Sequence, residues 1–183
     1  MFPIIEHVVL IVCGRYFYLP WPTWLNLGRA NKDGVVFKSK LSCLELLGAL
    51  ITLVISVDLA AGGHLQIFID NQGAVDIYNK GHSTKCGYTS AIAKAIFEVS
   101  EATAVRVSVV KVRRCSDRGS YTADRISKAD MVELRRMMPL REAPCEIPPS
   151  IVDWVRSPRV DMGWSKLILE DIQRMGVEVV TPY

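Results

Sequence analysis

His64-Leu65-Gln66-Ile67-Phe68-Ile69-Asp70-Asn71-Gln72-Gly73-Ala74-Val75 is the stretch on which the reading of this chain turns. Its first six residues are a short β-rich run, preceded by Gly62-Gly63 and closed by an acid. Asn71-Gln72-Gly73 then breaks the strand, and Ala74–Asn79 reads as a short helix. A strand passing directly into a helix is one half of an α/β unit, and such sheets place their ligand sites at the carboxyl ends of the strands. Asp70 stands at that edge.

Upstream, Ser42 reads as the N-cap of a helix running to about Ala61, with Glu45 three residues on completing a capping box and Gly62-Gly63 stopping it. Further back, His7–Cys13 and Arg15–Leu19 are rich in Val, Ile, Tyr and Phe and are broken at Gly14, a hairpin pattern that Pro20-Trp21-Pro22 ends. Gly34–Lys38 reads as a short strand. Downstream come a loop, Lys80–Tyr88, and a helix from Thr89 to about Ser100. In the strand Val105–Val112, Val105, Val107, Val109 and Lys111 alternate with Arg106, Ser108, Val110 and Val112. A basic loop, Arg113–Arg118, leads into a helix over Thr122–Met138. The order predicts a mixed α/β domain with helices packed on a sheet, spanning residues 1–138. From Pro139 the composition shifts. Pro144, Pro148 and Pro149 suggest a semi-rigid linker, so that 139–183 forms a small appendage with one helix at Ser165–Met175.

Composition narrows the class. Of 183 residues, 50% are hydrophobic and 22% charged, enough to bury a core and too apolar for a disordered tail or a coiled coil. A net charge of +3 is too mild to announce a nucleic-acid partner alone. The cysteines, Cys13, Cys43, Cys86, Cys115 and Cys145, form no CxxC and no Cys/His metal spacing, which predicts reduced thiols in an intracellular (cytoplasmic or nuclear) protein and no structural zinc. The apolar Val8–Cys13 follows Glu6 and His7 without a basic start, and Leu46–Val57 is shorter than the roughly 20 residues a membrane span needs. No membrane partner is expected.

Three acids stand out. Glu45 lies on an otherwise apolar helix, with Gly48, Ala49, Thr52 and Ser56 forming a stripe of small side chains that lets the helix approach a strand closely. Asp70 ends its strand, and Asp124 opens the last helix of the domain. Each has an ordinary structural reading as well: capping-box partner, strand-end turn, and helix-start acid. If the first and last helices flank the Asp70 strand, the three carboxylates converge. Clustered carboxylates repel unless a cation sits among them, and Mg²⁺ binds through a few carboxylates together with substrate phosphates.

The contexts of these acids resemble a known family. Ser42-Cys43-Leu44-Glu45-Leu46-Leu47, Ile69-Asp70-Asn71-Gln72-Gly73-Ala74-Val75 with Lys80-Gly81, and Ala123-Asp124-Arg125-Ile126-Ser127-Lys128 are similar to motifs of the ribonuclease H-like domain of retroelement reverse transcriptase polyproteins, in the DIRS-like and fungal flavour. The resemblance covers roughly residues 7–130. It implies a ribonuclease H-like mixed sheet flanked by helices, here with a short C-terminal helical extension. It further implies Glu45, Asp70 and Asp124 as catalytic metal ligands, Mg²⁺ or Mn²⁺ as cofactor, and hydrolysis of RNA in RNA/DNA hybrids. A polymerase domain of the same polyprotein is the implied partner. The chain departs from the family at the first strand, whose acid has no counterpart in Phe2-Pro3-Ile4-Ile5; Glu6 is the nearest. Either the chain is cut within that strand or the position has been lost. A His near the last acid is also replaced, by Cys115-Ser116-Asp117. The alternative is therefore an inactive module of the same fold that binds nucleic acid or a protein partner.

For substrate contact the candidates are Asn71 beside the acid, Lys80, His82 and Lys85 in one loop, and Lys111, Arg113, Arg114 and Arg118 in another. Basic loops flanking an acidic metal site hold a nucleic-acid backbone through its phosphates. Singly, each also reads as a solvated loop charge, and His82 as a loop histidine. Trp21 and Trp24 read as core or lid packing before base stacking, and Trp154 and Trp164 as anchors of the tail.

Overall fold

The computed structural model describes residues 7–12, 15–20, 35–84, 86–113, 146–158, 160 and 163–180. The chain divides into two compact units, Met1–Gly28 with Val112–Glu146 and Arg29–Lys111 with Ile147–Tyr183. In the first, β1 (His7–Val12) and β2 (Arg15–Pro20) pair antiparallel, from His7 opposite Pro20 to Val12 opposite Arg15. This is the hairpin its aliphatic and aromatic runs predict. Pro20 has no N–H for a ladder and falls at the strand's end. The expected helix over Thr122–Met138, with Asp124, lies outside the described residues, as do Arg114, Arg118, Lys85, Trp21 and Trp24.

The second unit is built around α1 (Val35–Ala60), a helix of 26 residues. Two expectations are corrected here. Gly34–Lys38 is not a strand, because Val35 onward is helix, and Ser42 is not an N-cap, because it lies two turns inside. Each residue added to a helix already nucleated gains a backbone hydrogen bond, which outweighs the weak strand preference of Val35, Val36 and Phe37. The Ser42–Glu45 capping box falls with that reading. From Ser42 to Val57 only Glu45 is not buried, and Leu46, Leu50, Leu53, Val54 and Val57 are sealed from solvent. A helix apolar all round must be covered all round, and α1 packs against four elements of this unit. By length and composition Leu41–Ala60 could cross a membrane, but 72% of that window is buried inside the fold.

β3 (His64–Ile69) and β4 (Arg106–Lys111) run parallel, from His64 beside Arg106 to Ile69 beside Lys111. Parallel neighbours need a crossover, supplied by α2 (Gln72–Lys80) and α3 (Gly87–Ala102). The sheet has two faces of opposite character. Ile67, Ile69 and Val109 are buried, while His64, Gln66, Phe68 and Arg106 point to solvent. Gly81 ends α2 in the left-handed region (φ 73°), its N–H donating to the Tyr78 carbonyl at 3.0 Å. That conformation costs a residue with a Cβ but not glycine.

The C-terminal residues carry two helices, where the sequence suggests one. α4 (Pro149–Arg156) begins at a proline, which fits a first turn because its missing N–H would have no partner there. α5 (Trp164–Arg174) follows, and Trp154 stacks on Trp164 with ring centroids 4.3 Å apart. The Trp164 indole N–H donates to the Ser150 carbonyl at 3.1 Å. Both tryptophans anchor this segment as their apolar settings suggest. Buried Asp171 accepts the Ser150 N–H (2.9 Å) at the start of α4 and is ion-paired with Arg174. α5 packs on α3, and the Val180 N–H donates to the Ala102 carbonyl at 2.7 Å, tying the segment to the unit that holds α1 and β3.

Candidate functional site

Three hydrogen bonds close the carboxyl end of the β3–β4 ladder. Asn71 is the N-cap of α2, its Oδ1 accepting the Ala74 N–H at 3.1 Å. The same oxygen accepts the Ser42 hydroxyl of α1 at 3.2 Å. From β4, the Lys111 ammonium donates to the Asp70 carbonyl at 2.6 Å. The first bond satisfies an amide that a helix start leaves orphaned. The second ties α1 to the strand–helix turn across 29 residues of sequence.

Gly73 shows how tight this junction is. A Cβ there would lie 2.9 Å from the Ser42 Oγ, closer than a Cβ comes without a shift, and 3.1 Å from the Asn71 Oδ1, tighter than most such contacts. The stripe Gly48, Ala49, Thr52 and Ser56 is buried along α1, and α1 packs on β3 among its neighbours. Glu45 is one turn beyond Ser42 on the same side of α1, and Asp70 immediately precedes Asn71. The Ser42–Asn71 bond therefore joins the two elements that carry these acids. Both acids are half-buried, and neither is free of interactions.

The other expected site residues distribute as follows. Asn71 and Lys111 are at this end, and Asn71 also serves as the cap. Lys80 is exposed in the last turn of α2, and nine helical residues at 1.5 Å each put it about 13 Å along the axis from the cap. His82 is exposed and its Nδ1 meets the Lys80 carbonyl at 3.1 Å, a loop histidine as expected. Arg113 is exposed and belongs to the first unit. Asp124, Arg114 and Arg118 are outside the described residues. Among the described residues no three His, Cys, Asp or Glu side chains gather closely enough to hold a metal ion. Glu45 and Asp70 nonetheless offer hard oxygen donors of the kind Mg²⁺ and Mn²⁺ take.

The amino end of the ladder holds a feature the sequence does not announce. His64, Tyr78, Phe97, Ser100, Arg106 and Val107 line an open cavity of about 420 Å³. Tyr78 and Phe97 stack nearly parallel at 5.2 Å, and the Tyr78 hydroxyl donates to the Val107 carbonyl at 2.9 Å. Burial pushes the Tyr78 phenol above its usual range. His64 Nε2 and the Ser108 hydroxyl share a hydrogen bond of 2.8 Å. These residues come from β3, α2, α3 and β4 and fall at no motif spacing.

No protein-family model matches the chain, and no curated protein or solved structure matches it.

Proposed function

We propose that the chain is a ribonuclease H-like domain of retroelement origin that hydrolyses the RNA strand of RNA/DNA hybrids with Mg²⁺ or Mn²⁺. The observation that carries this reading is the Ser42–Asn71 hydrogen bond, which joins the Glu45 helix to the Asp70 strand end. The motifs of the sequence add Asp124 as a third ligand. A bound divalent ion would supply an activated water and stabilise the leaving 3′ oxygen. The chain's own residues divide the remaining work. The family resemblance assigns the cation to Glu45, Asp70 and Asp124, and the substrate backbone falls to Asn71 and Lys111 beside Asp70, to Arg113, Arg114 and Arg118 in the basic loop, and to Lys80 at the far end of α2. The partner is the hybrid and, in a polyprotein, the polymerase that makes it.

Without an acid in Phe2-Pro3-Ile4-Ile5, three carboxylates undercompensate two divalent ions, and Mg²⁺ gives up water reluctantly without a positioned ligand. The expected activity on hybrid is feeble in Mg²⁺ and measurably higher in Mn²⁺, which tolerates imperfect oxygen sites better. Asp70→Asn abolishes it, and Ile4→Asp or Ile5→Asp raises it. Cleavage unchanged by Asp70→Asn would overturn the assignment. A second reading, a binding module without turnover, is favoured by the Lys111 ammonium that already stands at the Asp70 backbone. It predicts hybrid binding with no cleavage in either metal.

A further inference from the structure

The cavity at the amino end of the β3–β4 ladder combines an aromatic wall with a basic rim. Two of its polar groups are already spent on backbone. The Tyr78 hydroxyl donates to the Val107 carbonyl at 2.9 Å, and the Ser100 hydroxyl donates to the Val105 carbonyl. The first bond fixes the Tyr78 ring against β4, and the parallel stack at 5.2 Å sets Phe97 of α3 beside it. Tyr78 is buried and Phe97 is 40% exposed, so solvent reaches one side of a held aromatic surface. The hydrogen-bonding capacity left over is of one kind. Arg106 is exposed, and its guanidinium has no hydrogen bond or ion pair among the described residues. His64, its register partner across the ladder, is exposed and shares Nε2 with the Ser108 hydroxyl, which leaves Nδ1 without a partner among the described residues. With Ser108 donating to Nε2, Nδ1 carries the proton and is a donor. No carboxylate lines the cavity among the described residues.

We infer that this cavity binds a small planar ring compound carrying one anionic group, a carboxylate or a phosphate. Charge complementarity selects the anion, because the rim offers donors and cations with no acid to neutralise them. The guanidinium of Arg106 is a planar fork that meets two acceptor oxygens at once, which a carboxylate or phosphate presents and a hydroxyl does not. His64 Nδ1–H adds a third donor. The ring of the ligand lies on the surface made by Phe97 and Tyr78, where offset stacking is favourable. A volume of about 420 Å³ falls in the lower part of the range of small-molecule sites, about 300–1,000 Å³, and suits a single ring system rather than a polymer. This end of the ladder is opposite to the one that carries Asp70, and the inference is independent of the nuclease reading.

The test is titration calorimetry of the intact chain, without added divalent cation, using two acids and their neutral counterparts: adenosine 5′-monophosphate with adenosine, and benzoate with benzamide. At least one acid should saturate a single site per chain, and its neutral counterpart should bind at least tenfold more weakly. The tighter of the two acids tells phosphate from carboxylate. Arg106→Gln should weaken that acid roughly tenfold without moving the neutral counterpart, whereas Phe97→Ala should weaken both. Arg113→Gln with Arg114→Gln should leave the acid's affinity unchanged, and urea unfolding checks that each variant is folded. Neither acid saturating a site, a neutral counterpart binding as tightly as its acid, or affinity preserved in folded Arg106→Gln would overturn the inference without bearing on hybrid cleavage.

Discussion

At the carboxyl end of the β3–β4 ladder, Ser42, Asn71 and Lys111 are tied by hydrogen bonds across α1, the turn into α2 and β4. At the amino end, His64, Ser100 and Arg106 stand round an open cavity floored by the Tyr78–Phe97 stack. Both ends offer polar and charged side chains, so composition does not separate them. Their links differ: at the carboxyl end one oxygen, Asn71 Oδ1, joins the elements that carry Glu45 and Asp70, whereas at the amino end the Tyr78–Val107 and His64–Ser108 bonds surround an open cavity. Chemistry that needs fixed geometry belongs at the first end.

The comparison can be broken most forcefully at Gly73. Gly73→Val forces branched carbon against the Ser42 Oγ and Asn71 Oδ1, and overpacking of this kind costs about 2–3 kcal/mol. Urea unfolding should show that loss, with Gly73→Val and Ser42→Ala together costing less than their sum. Next is the basic loop. Arg113→Gln with Arg114→Gln should weaken hybrid binding roughly tenfold and lower the salt slope by about 2, whatever the sequence of the hybrid. A sequence-selective loss, or none, would count against phosphate contact.

Cys86 gives a pH test of similar size. The groups facing it are Cys43, the Thr89 hydroxyl and the Tyr88 and Thr89 amides. Its thiolate persists down to about 5, whereas an ordinary thiol is nearly all protonated at mildly acidic pH, with a pKa of about 8.5. Thiolate fraction, discounted for the lower nucleophilicity of an acidic thiol, gives alkylation roughly tenfold faster than an unfolded control near pH 6. The rate should fall only as pH drops through the Cys86 value, and a rate that climbs steadily to alkaline pH would contradict the lowered Cys86 thiol. Ser42→Ala removes one bond but leaves Asn71 Oδ1 accepting from Ala74, so about 1 kcal/mol is expected. Arg106→Ala, at the open end, should change stability by less than about 0.5 kcal/mol and leave hybrid binding untouched. A larger effect there would erase the distinction between the two ends.

How legible this was in the sequence depended on how local the signal is. The hairpin and β3 follow from β-rich runs closed by Gly, Pro or Asp, β4 from its alternating valines, and α2 and α3 from the loops that bound them. The start of α1 was hidden because Val35-Val36-Phe37 looks like a strand and Ser42 with Glu45 looks like a cap, although a buried helix absorbs both. α4 was hidden because Pro148-Pro149 looks like a linker, although the second proline opens a helix. Of the site, Asp70 was readable from its place at a strand end. The small-residue stripe of α1 is buried, but the Ser42–Asn71 bond is a tertiary fact no local pattern encodes.

We propose that Glu45 and Asp70 serve one cation at the carboxyl end of β3. The most direct test is Mn²⁺ titration followed by water-proton relaxation on the unmodified chain, Glu45→Gln, Asp70→Asn and the double variant, with folding of each checked by urea unfolding. Each single substitution should weaken Mn²⁺ binding by roughly tenfold or more, and the double variant should fall short of the summed effects because both acids serve the same ion. Mn²⁺ affinity preserved in the folded Glu45→Gln and Asp70→Asn chains would contradict it.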